Sequence, residues 1–82
     1  MVKRWIKVSI DDGMFPVERT ITLFDVEGKK HQWFIQLHTL NLENEKVAVD
    51  VLSQDNERAL ISIMTSHGWE NIIVPKKILE LS

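Results

Sequence analysis

Three histidines, His31, His38 and His67, are the side chains of this 82-residue chain that titrate near neutral pH without help from their surroundings. None falls in the HxH or HExxH spacing that gathers imidazole and carboxylate ligands around one metal ion. His31 and His38 are an odd number of residues apart, so on a regular strand they point to opposite sides. We therefore predict no metal site.

Two acidic pairs could support acid–base chemistry, Asp11 with Asp12 and Asp55 with Glu57. Each pair stands in a turn-like stretch, where aspartate is favoured because its side chain bonds the local backbone. The three glycines are isolated, so the sequence has no glycine-rich loop for phosphate, and no serine lies in a nucleophile motif. The sequence therefore predicts no catalytic residue, no cofactor and no enzymatic activity.

Short strands are the elements that would position these side chains. Residues 2–10 place apolar side chains on one side, against Lys3, Trp5, Lys7 and Ser9 on the other. The Asp12–Gly13 step predicts a tight hairpin, since glycine adopts the positive φ that such turns need. The returning strand begins near Val17, with Val17, Arg19, Ile21 and Leu23 on one face and Glu18 on the other.

Further strands follow at intervals of about ten residues, each bounded by turn-forming residues. Gly28 is expected in a left-handed conformation between the second and third strands, and residues 39–46 form either a loop or a helical turn. The remaining predicted strands are 29–38, 47–52, 58–64 and 69–74. The predicted fold is all-β, a single domain over residues 1–82: a small antiparallel β-barrel of five to six strands with a short 3₁₀ or α turn after Pro75.

Two stretches, "RALISIM" and "IIVPKKILEL" within residues 58–81, resemble the last part of a Src homology 3 barrel. In that family a strand, a turn and a strand lead to an apolar-Pro-x-x-apolar step and a 3₁₀ turn. The resemblance implies the barrel fold. It does not extend to binding of proline-rich peptides, because the chain has no tyrosine and Arg58-Ala59 replaces the family's tryptophan pair.

The segment "KKHQWFIQLH", residues 29–38, places Trp33 and Phe34 side by side, so one of them must face away from the core. With Trp33 and Ile35 inward, Phe34 lies outside with Gln32 and Gln36. The reverse register would bury both glutamines, and each unpartnered amide would cost about 1–3 kcal/mol. We therefore predict that Trp33 points inward.

Trp5 lies on the lysine-bearing side of the first strand, where periodicity predicts a wet surface. An aromatic ring in that setting can join a protein interface or stack on a base. The alternative is a second, minor core in which Trp5 and Phe34 pack beneath residues 39–46. Trp69 is expected to seal one end of the barrel. The predicted partner-binding residues are Trp5, Phe34, Lys3, Lys7 and Gln36.

The net charge of −2 and the absence of long basic runs disfavour nucleic acid as the partner. No stretch is long and apolar enough for a membrane span, and the chain has no cysteine, which fits a reducing compartment. We expect a cytosolic binding module or accessory subunit whose partner is another protein. Single-stranded nucleic acid is the alternative partner, and a homo-oligomer formed through an exposed strand edge is a third hypothesis.

Overall fold

The computed structural model describes residues 2–80, with side chains described for residues 3–79. The predicted inward side chain of Val2, and Leu81 at the end of the Src homology 3-like segment, lie outside that part. The strands are β1 Val2–Lys7, β2 Ser9–Asp12, β3 Glu18–Phe24, β4 Lys30–Gln36, β5 Leu40–Asn41, β6 Lys46–Gln54, β7 Arg58–Thr65 and β8 Gly68–Pro75. A 3₁₀ helix spans Leu37–Thr39, and a single α-helical turn, α1, spans Lys77–Glu80.

The strands form two antiparallel sheets. One contains β1, β6, β7 and β8 in that order, with β5 also paired to β6, and the other contains β2, β3 and β4. The all-β prediction is confirmed, but the described strands do not close into a barrel. The predicted first strand is divided at Val8, whose N–H donates to the carbonyl of Glu45 at 3.0 Å, and the chain passes there from one sheet to the other.

The core lies between the sheets and is built from the alternating apolar residues of both. Its fully buried members include Ile6 of β1, Ile21 of β3, Ile35 of β4 and Ile61 of β7. Trp33 packs against this cluster, so its predicted inward direction is confirmed. Burial of apolar surface at these positions provides the main driving force for folding.

The start of β3 differs from the prediction. Val17 is exposed and precedes the strand, whereas Glu18 is buried. The reason is a contact between the sheets: the Oγ of Ser66, in the β7–β8 turn, donates to Oε2 of Glu18 at 3.1 Å. The N–H of Ser66 also donates to the carbonyl of Phe34 at 2.8 Å, so this turn covers the beginning of β3.

Residues 39–46 contain elements of both predicted alternatives. The 3₁₀ helix begins before this segment and ends at Thr39, β5 follows directly, and the remaining residues form a turn in which Glu45 has a φ of 54°. Gly28 adopts the expected positive φ, 82°. The helical turn predicted after Pro75 is confirmed as α1.

Candidate docking surface

Trp5 lies on the outward side of β1, between Lys3 and Lys7, and is 44% exposed. Its partner directly across on β6 is Ala48, whose methyl group is too small to cover an indole. Lys7 stands opposite Lys46 in the same pairing. We call these five residues, Lys3, Trp5, Lys7, Lys46 and Ala48, the Trp5 face. Because Trp5 is exposed, residues 39–46 do not enclose it in a minor core.

The Trp5 face carries more positive than negative charge. Lys3 lies opposite Asp50, and its Nζ is 4.0 Å from the carboxylate, a long and mostly exposed pair that contributes little. Lys7 and Lys46 stand opposite each other on β1 and β6, so two positively charged side chains lie beside the indole. The face therefore combines a large apolar ring with a field that attracts acidic groups.

The other two predicted binding residues lie in the second sheet. Phe34 is half-buried on β4, opposite Thr20 of β3, and Gln36 is exposed at the end of the same strand. Phe34 contributes to a shallow groove of about 310 Å³ whose lining residues are Thr20, Gln32, Trp33, Phe34 and His67. That Phe34 and Gln36 meet the same partner as Trp5 stays a prediction.

The loop between β2 and β3 exposes an apolar cluster that the sequence reasoning missed. Met14 is 71% exposed, Phe15 62% and Val17 60%. We call residues 13–17 the apolar loop. The available signal was the run "GMFPV", in which three large apolar residues stand among turn-forming residues and outside any alternating pattern.

Three hydrogen bonds hold the apolar loop at its base. The N–H of Glu18 donates to the carbonyl of Phe15 at 3.1 Å, and the N–H of Leu37 donates to the carbonyl of Val17 at 2.8 Å. Arg19 Nη1 donates to the carbonyl of Pro16 at 3.0 Å. A Cβ at Gly13 would lie 2.6 Å from the carbonyl oxygen of Glu18, so this position requires glycine for close approach rather than for the predicted positive φ.

The expectation that Trp69 seals one end of a barrel is wrong. Trp69 is 53% exposed at the start of β8, and its cross-strand partner Met64 is exposed as well. β8 is the outermost strand of its sheet, so beyond it no further strand of that sheet packs against the ring. Trp69 is therefore a second exposed indole, at the edge opposite β1.

The histidine–carboxylate contact closest to catalytic geometry joins His31 and Asp25. His31 Nε2 lies 2.9 Å from Asp25 Oδ2, and the imidazole stacks on Trp33 with ring centroids 5.5 Å apart. The other oxygen, Oδ1, accepts the N–H groups of Glu27 and Lys29 at 2.9 Å each. The His31 hydrogen bond, followed by the Lys29 bond, holds the pKa of Asp25 below its usual range. All these bonds lie within one turn, so they point to a structural role.

Among the described residues no group of three histidine, aspartate or glutamate side chains is arranged to hold a metal ion. No helix in this part of the chain has the length and apolarity needed to cross a membrane. The chain shows no significant match to a protein-family model, a curated protein or a solved structure. Function can therefore be inferred only from the exposed residues described above.

Proposed function

We propose that this domain is a non-enzymatic binding module that contacts another protein through the Trp5 face. The observation that carries the proposal is an indole left 44% exposed between two lysines, opposite a residue too small to cover it. Exposed apolar surface on a small domain commonly marks an interaction site, and tryptophan is enriched among the residues that dominate binding energy.

The partner that fits this face is an acidic segment with a large apolar side chain. The apolar group would cover the indole, while carboxylates beside it would lie near Lys7 and Lys46. Charge complementarity of this kind accelerates encounter and selects the partner. Phe34 and Gln36 form a second contact in this proposal, supported by their spacing on one face of β4, where Gln36 is exposed and Phe34 half-buried.

Two finer expectations belong to the same proposal. A Src homology 3-like strand arrangement over residues 58–81 is supported by the order strand, turn, strand and short helix after Pro75. A cytosolic location is supported by the absence of cysteine from the sequence.

The test is co-purification of the full chain from its native cells with Trp5→Ala and with Trp69→Ala as the matched control. Both residues are exposed tryptophans in the same sheet, at opposite edges, so the two variants lose similar surface. A partner captured by the wild type and by Trp69→Ala, but lost with Trp5→Ala, supports the proposal. A partner retained by Trp5→Ala contradicts it.

Single-stranded nucleic acid is the second candidate partner, since a lysine-flanked exposed tryptophan can stack on a base. Titration of the tryptophan fluorescence of the wild type and of Trp5→Ala with a thymidine oligonucleotide tests it, since only the difference between them reports on Trp5. This candidate requires quenching whose affinity falls steeply as salt rises, because bound phosphates release counterions. A signal that does not respond to the oligonucleotide excludes it and leaves the protein partner.

A further inference from the structure

We infer that the acidic, apolar segment that fits the Trp5 face is the apolar loop of a second copy of this chain, so that the domain associates head to tail. The inference rests on the proposed function, because it uses the same face, and it adds the identity of a partner. Each surface has exposed apolar side chains, and the two differ in the sign of their charge.

The apolar loop follows two exposed aspartates. Asp11 and Asp12 end β2 and lead directly into Met14 and Phe15. On the other surface, Lys3, Lys7 and Lys46 surround Trp5. Placing Phe15 on the indole would bring carboxylates near lysines, so apolar and charged groups are paired in the same contact.

The two other charged residues at the loop do not cancel this acidic character. Arg19 donates Nη1 to the carbonyls of Pro16 and Glu18 at 3.0 and 2.9 Å, and its positive charge lies across from Asp12, so it offsets one of the two aspartates. Glu18 is buried, and its carboxylate accepts the Ser66 hydroxyl. Asp11 and Asp12 are both exposed, so with Arg19 counted the charge next to the apolar loop stays negative.

The contact has to form between copies. Asp12 stands seven positions after Trp5, and an extended strand of that length spans at most about 23 Å at roughly 3.3 Å per residue. Backbone hydrogen bonds from Glu18 and Leu37 hold the loop base against the second sheet, whereas Trp5 belongs to the first. Both Trp5 and Phe15 are also exposed within one copy.

Such a contact is heterologous, since the loop of one copy meets a different surface on the next, and it builds chains or closed rings rather than only dimers. Residues 11–17 on one side and the five of the Trp5 face on the other take part, fewer than the roughly 20–30 per side of a standard interface, so we expect the contact to be weak and reversible. The preorganised loop reduces the entropy lost on binding. We expect association with a dissociation constant of roughly 0.1 mM, in the range of transient contacts.

Sedimentation velocity of the full chain over a range of concentrations tests the inference. We expect the weight-average mass to rise with concentration at low salt and to rise less at high salt, because the charged pairs are screened. Phe15→Ser should abolish the rise without affecting folding, since Phe15 is exposed. A wild-type chain that stays monomeric at millimolar concentration overturns the inference.

Charge reversal gives the sharper test. One variant carries Lys3→Glu with Lys7→Glu, and the other carries Asp11→Lys with Asp12→Lys. Each variant alone places like charges on both surfaces and should stay monomeric. An equimolar mixture should recover association, because the loop of each variant again meets a face of opposite charge. Circular dichroism of each variant confirms that it is folded.

Three results would contradict the inference. Association that persists in both charge-reversal variants would indicate pairing of strand edges instead, and a mixture that stays monomeric would show that these surfaces do not meet. Binding of a monomeric chain to phosphatidylcholine vesicles, lost with Phe15→Ser, would make the loop a membrane contact. The proposed function survives each of these results if co-purification still depends on Trp5, so the two failures are distinguishable.

Discussion

Asp25 illustrates how one side chain organises a turn. Its two carboxylate oxygens together accept hydrogen bonds from Glu27, Lys29 and His31, so the connection between β3 and β4 is held from within. Asp55 caps the turn between β6 and β7 in the same way, and its bonds from the N–H groups of Glu57 and Arg58 lower its pKa. Asp55 belongs to one of the two acidic pairs of the sequence and Asp25 to neither, but both carboxylates hold their turns together.

Asp25 should therefore make the free energy of unfolding depend on pH in the acid range. Its pKa in the folded state lies below the unfolded value of about 3.9, so its contribution is complete above about pH 5 and is lost as the pH falls through the folded pKa. We expect Asp25→Asn to lower the urea midpoint at neutral pH and to flatten its decline on acidification. Asp11→Asn, at an exposed strand position, is the control, and an equal decline in wild type and Asp25→Asn would contradict the assignment.

At the scale of elements, the β7–β8 hairpin joins the two sheets. The hydroxyl of Ser66 bonds the buried carboxylate of Glu18, and its N–H bonds the carbonyl of Phe34. These residues are far apart in sequence, and the alternation of β3 alone would place Glu18 on the wet side. The hairpin explains why an acidic residue is buried there.

Removing the hydroxyl should destabilise the fold measurably. Ser66→Ala leaves the Glu18 carboxylate without its side-chain donor, and an unsatisfied buried group costs about 1–3 kcal/mol. Denaturant unfolding measures the loss, with Ser53→Ala, at an exposed position of β6, as the control. A loss no larger than that of the control would show that Glu18 finds another partner.

At the scale of the whole molecule, stability depends on a small core shared by two sheets. A domain of this length has a free energy of unfolding of about 4–12 kcal/mol. The fully buried side chains are mainly isoleucine and valine, which pack well on pleated sheets. Because the free energy of unfolding is this small, truncation of one core side chain should remove a large part of it.

Ile61→Ala tests that expectation. Ile61 is fully buried, and truncation of such a residue costs about 2–5 kcal/mol through lost burial and the cavity that remains. Ile73→Ala, the same change at an exposed site of β8, should cost less than about 1 kcal/mol. Thermal and urea unfolding measure the two losses of stability. Similar losses for Ile61→Ala and Ile73→Ala would contradict this expectation.

The sequence by itself determined the strand faces and most of the core. Ile6, Ile21 and Ile35 could be assigned inward because side chains alternate along any strand and apolar ones favour burial wherever the strand lies. The same local rule put Trp5 on the wet side of β1 but left open a minor core around it, and the structure decided for exposure. The binding role assigned to Trp5 stays a prediction, because periodicity predicts exposure and says nothing about a partner.

Only the tertiary structure decided how the strands combine. Alternation along residues 2–10 does not reveal that Val8 passes from one sheet to the other, since that depends on its hydrogen bond to Glu45. It does not reveal that Glu18 is buried beneath the β7–β8 turn, where Ser66 donates to its carboxylate. Nor does it reveal that Met14 and Phe15 are exposed on a loop whose base is held by hydrogen bonds. These features depend on contacts between residues distant in the chain, and such contacts have no local periodicity from which to predict them.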